Sequence, residues 1–328
     1  MINTLSNNQI IILKNKSTIV ADFLVTNLEF IKTAKSSFAN ITINNGESTY
    51  SVKVWSVTEA DRPTLPEVGQ ISELHMTVED YNGVRGFVLQ SHVAKPDEDP
   101  IQLVDKHLHT KEEYLAIIND LLAPAREVLL FSEMISVFFK KYSDKLFCTP
   151  AATGNHHAYP SGWIQHTLEV LSNTKNIVDS MLFANPTLNI NVPLVLIGAF
   201  LHDVGKLHTY YTDDKLTPRC TDKETLLGHS SVGSHVVYDL LIPRDYKQDF
   251  TSEESLLLDK LSHIIASHHN ELEWGAVAKP ACVEAIIVHY ADQLSAKVTM
   301  MCDEQSKVAA GTIAEKKSYI FGTRVIGV

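Results

Sequence analysis

The chain has 328 residues, 45% of them hydrophobic and 20% charged, a balance that is ordinary for a globular protein long enough to hold two domains. With 39 acidic against 28 basic residues its net charge is −11, which argues against a general nucleic-acid coat but leaves room for acidic metal ligands. No apolar run approaches the ~18 residues that a membrane helix needs. No export signal is read at the start, and Cys148, Cys220, Cys282 and Cys302 form no C-x-x-C pair, so we expect a cytoplasmic protein with reduced thiols and no cysteine metal site.

The first hundred residues read as strands. Val20–Val25, Phe38–Ile43, Tyr50–Trp55, Ile71–Val78 and Gly86–Leu89 are β-branched or aromatic and of strand length, with turn signals at Asn44-Asn45-Gly46 and Asn82-Gly83. Five short strands predict a Greek-key barrel of the OB type over residues 1–95, with sandwich arrangements as the alternative. The polar stretch Lys95–Pro100 opens a linker over 96–110, and residues 111–328 read as helical. Apolar spacing of three and four predicts helices at Lys111–Leu122, Glu127–Tyr142, Gly162–Met181, Pro193–Gly205, Gly228–Leu241, Ser252–Ser267 and Ala281–Asp303. Thr251 caps one of them, and Pro193 suits the first turn of another.

In the barrel, Lys14, Lys16, Lys32, Lys35, Lys53 and Arg85 are the candidates for phosphate contact, with Lys53 and Arg85 foremost. Phe23, Phe38, Tyr50, Trp55, Tyr81 and Phe87 either stack on bases or fill the interior, and alternation favours the interior for most.

The chemistry is concentrated in the helical part. Leu201-His202-Asp203-Val204-Gly205-Lys206 closes an apolar helix, and a His-Asp pair there is costly unless both side chains have partners. Metal ligation would satisfy both, while a hydrogen-bonded core pair is the blander account. His166, His229, His268, His269 and the mid-helix Asp292 each have such a structural alternative taken singly. Together, each at an end or inner face of its own helix, they point to one shared site. Lys206 is a candidate for catalysis and phosphate binding, or a dipole-complementing lysine at a helix end. His156 and His157 line a substrate entrance or form a surface pair, and Lys297 is a further phosphate candidate or a solvent-facing lysine.

The order His, His-Asp, His, His-His, Asp resembles the HD-domain superfamily of metal-dependent phosphohydrolases. The segments His156-His157-Ala158-Tyr159, Gly162–Thr167, Gly198–Lys206, Ser267–Gly275 and His289–Asp292 are similar to the YhaM family of bacterial 3′→5′ exoribonucleases. That family also carries an OB-fold ahead of an all-α HD bundle. Glu273-Trp274-Gly275 follows the paired histidines, with no Gly-Tyr-Pro of the cyclic-dinucleotide branch, whereas Pro160-Ser161-Gly162 departs from the glycine-rich tendency of the YhaM branch.

The resemblance implies two divalent ions, Mn²⁺ first with Co²⁺ or Fe as alternatives. His166, His202, Asp203 and Asp292 would hold one, and His229, His268 and His269 the other, with Asp203 bridging. It implies metal-bound hydroxide attacking the terminal phosphodiester of single-stranded RNA, with DNA as the alternative polymer, and His202, Asp203 and Lys206 as catalytic groups. Cyclic or small nucleotides are the competing substrates, and a non-catalytic nucleic-acid-binding module is the competing class. Homo-oligomerisation stays open, and a membrane partner is not expected.

Overall fold

The computed structural model of the chain describes residues 2–33, 36–80, 85–104, 108–154, 157–241 and 250–328. Asn82-Gly83, Lys35, Tyr81 and His156 therefore lie outside the described residues. The chain folds as two compact units. One comprises Met1–Lys106, Asp213–Thr217 and Thr299–Val328, and the other His107–Thr212 and Pro218–Val298. The last thirty or so residues, expected with the helices, thus group with the strands.

The first unit starts with a short helix, α1 (Asn7–Ile11), whose Ser6 cap accepts from the Gln9 amide while the Gln9 side chain returns the bond. Five strands follow: β1 (Thr18–Lys32), β2 (Ser37–Asn44), β3 (Thr49–Trp55), β4 (Ile71–Val78) and β5 (Phe87–Ala94). They close a barrel in the order β1-β2-β3-β5-β4, every pair antiparallel except β3 with β5. This is the five-stranded closed barrel that the strand pattern predicts. Period-two alternation sends Ala21, Phe23, Ile41, Ile43, Val52, Leu74, Met76 and Phe87 inward.

At Asn44-Asn45-Gly46 the turn forms as expected. Gly46 takes φ +93°, and the Asn44 and Asn45 side chains accept the amides of Gly46, Glu47 and Ser48. β5 runs five residues beyond its expected end and stops just short of the stretch read as linker, because it stays hydrogen-bonded to β4 as far as Ala94 opposite Ser72.

The second unit is built from helices around one apolar core. They are α2 (Lys111–Leu121), α3 (Ala123–Arg126), α4 (Leu129–Tyr142), α5 (Gly162–Ala184), α6 (Val192–Leu201), α7 (Lys206–Thr209), α8 (Asp222–Leu227), α9 (His229–Asp239), α10 (Ser252–Ser267) and α11 (Val283–Gln305), the last of which crosses the unit boundary. Two short hairpins, β6 (Tyr210–Thr212) with β7 (Pro218–Cys220) and β8 (Ile313–Lys317) with β9 (Arg324–Ile326), correct the expectation that everything after residue 110 is helical.

α6 is the central element. It is apolar all round and buried from Leu194 to Leu201, which marks a core helix rather than a surface one. Asn191 caps it, and Pro193 sits in its first turn as predicted. The helix expected to run on to Gly205 ends instead at Leu201. His202 to Gly205 form a turn that re-enters helix at Lys206, so the His-Asp pair projects from a helix terminus.

Candidate metal centre

The seven side chains of the constellation are delivered by five elements of the second unit. His166 lies in the first turns of α5, His202 and Asp203 leave the end of α6, and His229 is the first residue of α9. His268 and His269 leave the end of α10, and Asp292 lies midway along α11. Gly205 lets two of these elements meet, since a Cβ there would sit 2.0 Å from the His229 carbonyl oxygen.

The side chains converge on Asp203, which is 1% exposed. Its Oδ2 lies 3.5 Å from His166 Nε2 and 3.4 Å from His202 Nε2, and its Oδ1 lies 3.4 Å from His229 Nε2 and 3.5 Å from His268 Nε2. Asp292 Oδ1 is 3.1 Å from His166 Nε2. The donors sort into two triads, His166 with His202 and Asp292, and His229 with His268 and His269, with the ligand atoms in each within 4.8 Å of one another. One oxygen of Asp203 faces each triad. The Trp163 indole fixes the Asp203 backbone by donating to its carbonyl at 2.9 Å.

The outer nitrogens determine which face of each ring carries a lone pair. His202 Nδ1 is 2.7 Å from the Ala199 carbonyl, and His268 Nδ1 is 2.7 Å from that of Ile265. A carbonyl only accepts, so both Nδ1 atoms are donors. His229 Nδ1 likewise donates to Glu224 Oε1 at 2.8 Å. In these three rings, when neutral, Nε2 then turns a lone pair inward. There, His166 Nε2 and His202 Nε2 lie 3.3 Å apart, and His229 Nε2 and His269 Nε2 2.9 Å apart. Among the described residues, neither oxygen of Asp203 nor His268 Nε2 makes a well-aligned hydrogen bond, although each is buried; the Lys206 ammonium lies 2.7 Å from Asp203 Oδ2 and faces only that oxygen. Buried acceptors crowded against acceptors are costly without a cation. Five imidazoles and two carboxylates suit a first-row divalent metal, so the residues present fit the group.

The electrostatics agree at five of these groups. Burial, working against its neighbouring carboxylates, pushes His166 down, and burial likewise lowers His229 against the pull of Glu224. Burial, then the adjacent His268 and His229, takes His269 down to about 2. Burial alone would raise Asp203, but Lys206, His202 and His268 outweigh it and hold the carboxyl well below the usual range. Asp292 is likewise held low, with His166 the main opposing influence against burial. His202 runs the other way, since Asp203 and Asp292 outweigh its burial and raise it.

Of the other predicted positions, Lys206 is buried with its ammonium 2.7 Å from Asp203 Oδ2 and over the Tyr210 ring. His157 is also buried, its Nε2 turned 3.1 Å from Glu169, while Lys297 is exposed. In the barrel unit, Arg85 is drawn to Asp80 at 2.6 Å and donates to the Ile10 carbonyl at 2.6 Å. Lys53 lies over the exposed Trp55 ring, 5.2 Å from its centroid, with Phe38 alongside. Phe23, Tyr50 and Phe87 are interior.

Sequence reasoning missed Glu169, Glu224 and Ser295. Glu169 and Ser295 each stand three residues beyond a predicted ligand on the same helix, which places them on its face and is the signal that could have found them. Glu169 is drawn down to about 2, because hydrogen bonds from His157, Gln165 and Ser295 outweigh its burial.

Residues 163–297 match the family model for the HD domain, so the helical unit contains an HD domain over that span, after a five-stranded barrel. Such domains bind divalent metals through His and Asp side chains. Along most of its length the chain is also similar to curated proteins called 3′-5′ exoribonuclease YhaM. It is 26% identical over 283 residues to that of Oceanobacillus iheyensis, covering 85% of this chain and 84% of the relative. With the Bacillus subtilis protein it shares 28% over 284 residues, and with that of Bacillus licheniformis 27% over 286, at the same coverage of both chains. The resemblance read from the motifs is borne out.

Proposed function

We propose that the chain is a metal-dependent 3′→5′ exonuclease acting on single-stranded RNA. The observation that carries this reading is the convergence of imidazole lone pairs from several helices on the two oxygens of one buried carboxylate. His166, His202 and Asp292 would hold one ion and His229, His268 and His269 a second, with Asp203 shared between them. Two divalent ions, Mn²⁺ first with Co²⁺ or Fe as alternatives, supply Lewis-acid charge that activates water and neutralises a scissile phosphate.

The chain's own residues do the rest. Trp163 and the end of α6 fix Asp203, and backbone carbonyls lock the rings of His202 and His268. Lys206 keeps a buried positive charge against the cluster, which favours an anionic phosphodiester over a neutral ligand. Water adds to the phosphorus of the terminal phosphodiester and the bond to the penultimate 3′ oxygen breaks. That oxygen leaves as a 3′-hydroxyl and the terminal residue as a nucleoside 5′-monophosphate.

In the barrel, Trp55, Phe38 and Lys53 form an aromatic and basic face of the kind on which successive bases of a single strand stack. A second binding domain on the same chain raises the effective concentration of an RNA end at the metals. The names of the curated relatives support RNA as the polymer, and a cytoplasmic setting suits that substrate.

The net charge of −11 favours a second reading, an HD phosphodiesterase for cyclic or small nucleotides. Incubation of Mn²⁺-loaded protein with 5′-end-labelled RNA separates the two. We expect a ladder shortening from the 3′ end with release of 5′-monophosphates, and loss of the ladder in Asp203→Asn. Turnover confined to cyclic or mononucleotide substrates would replace the first reading with the second.

A further inference from the structure

The histidines of the cluster are oriented in two ways. His202 and His268 lean on backbone carbonyls, which no substitution removes. His166 leans on a side-chain network that reaches outside the metal centre. Its Nδ1 lies 3.1 Å from Ser295 Oγ, and Ser295 Oγ donates to Glu169 Oε2 at 2.6 Å. The same Glu169 oxygen meets His157 Nε2 at 3.1 Å, and Glu169 Oε1 accepts from Gln165 Nε2 at 2.7 Å. Gln165 is itself turned by Tyr114, whose hydroxyl donates to Gln165 Oε1 at 2.5 Å.

Counting protons fixes the direction of this chain. A serine hydroxyl has one proton, and here it goes to the carboxylate at short range. Towards His166 the oxygen has only lone pairs left, so Nδ1 must be the donor there. The proton on Nδ1 leaves the lone pair on Nε2, the atom that faces Asp292 and Asp203. Glu169 touches no atom of the cluster itself, yet it selects the tautomer of one of its rings.

His157 adds a second arm. It holds a positive φ of 52° in the segment leading into α5, and its carbonyl accepts the Ala151 amide at 3.1 Å. That carbonyl lies so close to the start of α5 that a Cβ on Gly162 would stand 1.9 Å from it. The segment is therefore clamped to the helix that bears His166, and His157 is turned toward Glu169.

We propose that Glu169 is a positioning residue for the metal centre. Through Ser295 it holds His166 with Nε2 available to a divalent cation, and through His157 it ties that ring to the segment ahead of α5. The proposal rests on the cluster being a metal site. The competing account is a polar network that only fastens α5 to α11. Outer partners of metal-bound histidines typically contribute ~10–100-fold in affinity.

The test is titration of metal-free full-length protein with Mn²⁺ by calorimetry and with Co²⁺ by visible absorption. Wild type, Ser295→Ala, Ser295→Thr and Glu169→Gln are compared, with melting of each metal-free protein measured in parallel. We expect Ser295→Ala to weaken one of two ions ~10–100-fold, to alter the Co²⁺ spectrum and to leave the second ion unchanged. Glu169→Gln should act in the same direction, and Ser295→Thr, which keeps the hydroxyl, should restore binding. Wild-type affinities and spectrum in both Ser295→Ala and Glu169→Gln would overturn the proposal. So would equal weakening of both ions in step with a lower melting temperature. If wild type itself binds no ion, the metal reading fails first and this one with it.

Discussion

Asp203 carries the largest share of the account at the scale of single residues. Its two oxygens face the two triads, and its charge is maintained in a buried site by Lys206 and the surrounding imidazoles. Replacing it with asparagine keeps the shape and removes the charge. Asp203→Asn should lower nuclease turnover by at least ~100-fold and abolish binding of one or both ions, read by metal analysis after gel filtration. Glu224 offers a subtler change. It accepts from His229 Nδ1, and its loss frees that ring to rotate. Glu224→Ala should weaken metal binding ~10–100-fold while the metal-free protein keeps its helical circular dichroism.

The contrast between these two residues shows what was legible. The candidate ligand positions were readable because histidines and aspartates at the ends of apolar helices are costly without partners. Glu224 was not, because it lies on a separate six-residue helix with no spacing relation to His229 and looks like any acidic first turn.

At the scale of elements, the apolar run Leu194–Leu201 announced a core helix, and the period-two segments announced the barrel, because both patterns follow directly from burial. The hairpins after residue 209 did not show themselves. Their strands are three to five residues long and largely exposed, so no periodicity accumulates. The break of α6 at Leu201 was also hidden, since a turn followed at once by α7 leaves the helical spacing nearly intact.

His208, in α7, packs its ring against Tyr142, whose hydroxyl lies 2.8 Å from Nε2. Burial, with Lys145, Lys141 and Lys223 nearby, takes it down to about 4 from 6.5. The unfolded chain then takes up the proton first as pH falls, so stability is lost between about 6.5 and about 4. Denaturant midpoints in chelator should fall less from pH 7 to pH 4.5 in His208→Gln than in wild type. An equal fall would place the loss elsewhere.

In the barrel, the proposed stacking face predicts that Trp55→Ala weakens binding of a single-stranded oligonucleotide by roughly 5–150-fold, at about 1–3 kcal/mol per stacked base. Fluorescence anisotropy in chelator reads that change without interference from cleavage.

At the scale of the whole molecule, two cores fold within one chain. One is a barrel with an aromatic and basic face, and the other a helical unit with a buried histidine and aspartate centre. The strand-then-helix order of the sequence made this division visible. The grouping of Thr299–Val328 with the barrel unit was not, because α11 continues without interruption across the boundary between the units. The central claim is that the helical unit holds two ions around Asp203. Anomalous diffraction at the manganese edge from crystals grown with Mn²⁺ tests it most directly. We predict two peaks, one among His166, His202 and Asp292 and one among His229, His268 and His269, with the Asp203 carboxylate between them. An absence of peaks at these side chains, or ions found only at surface carboxylates, would contradict it.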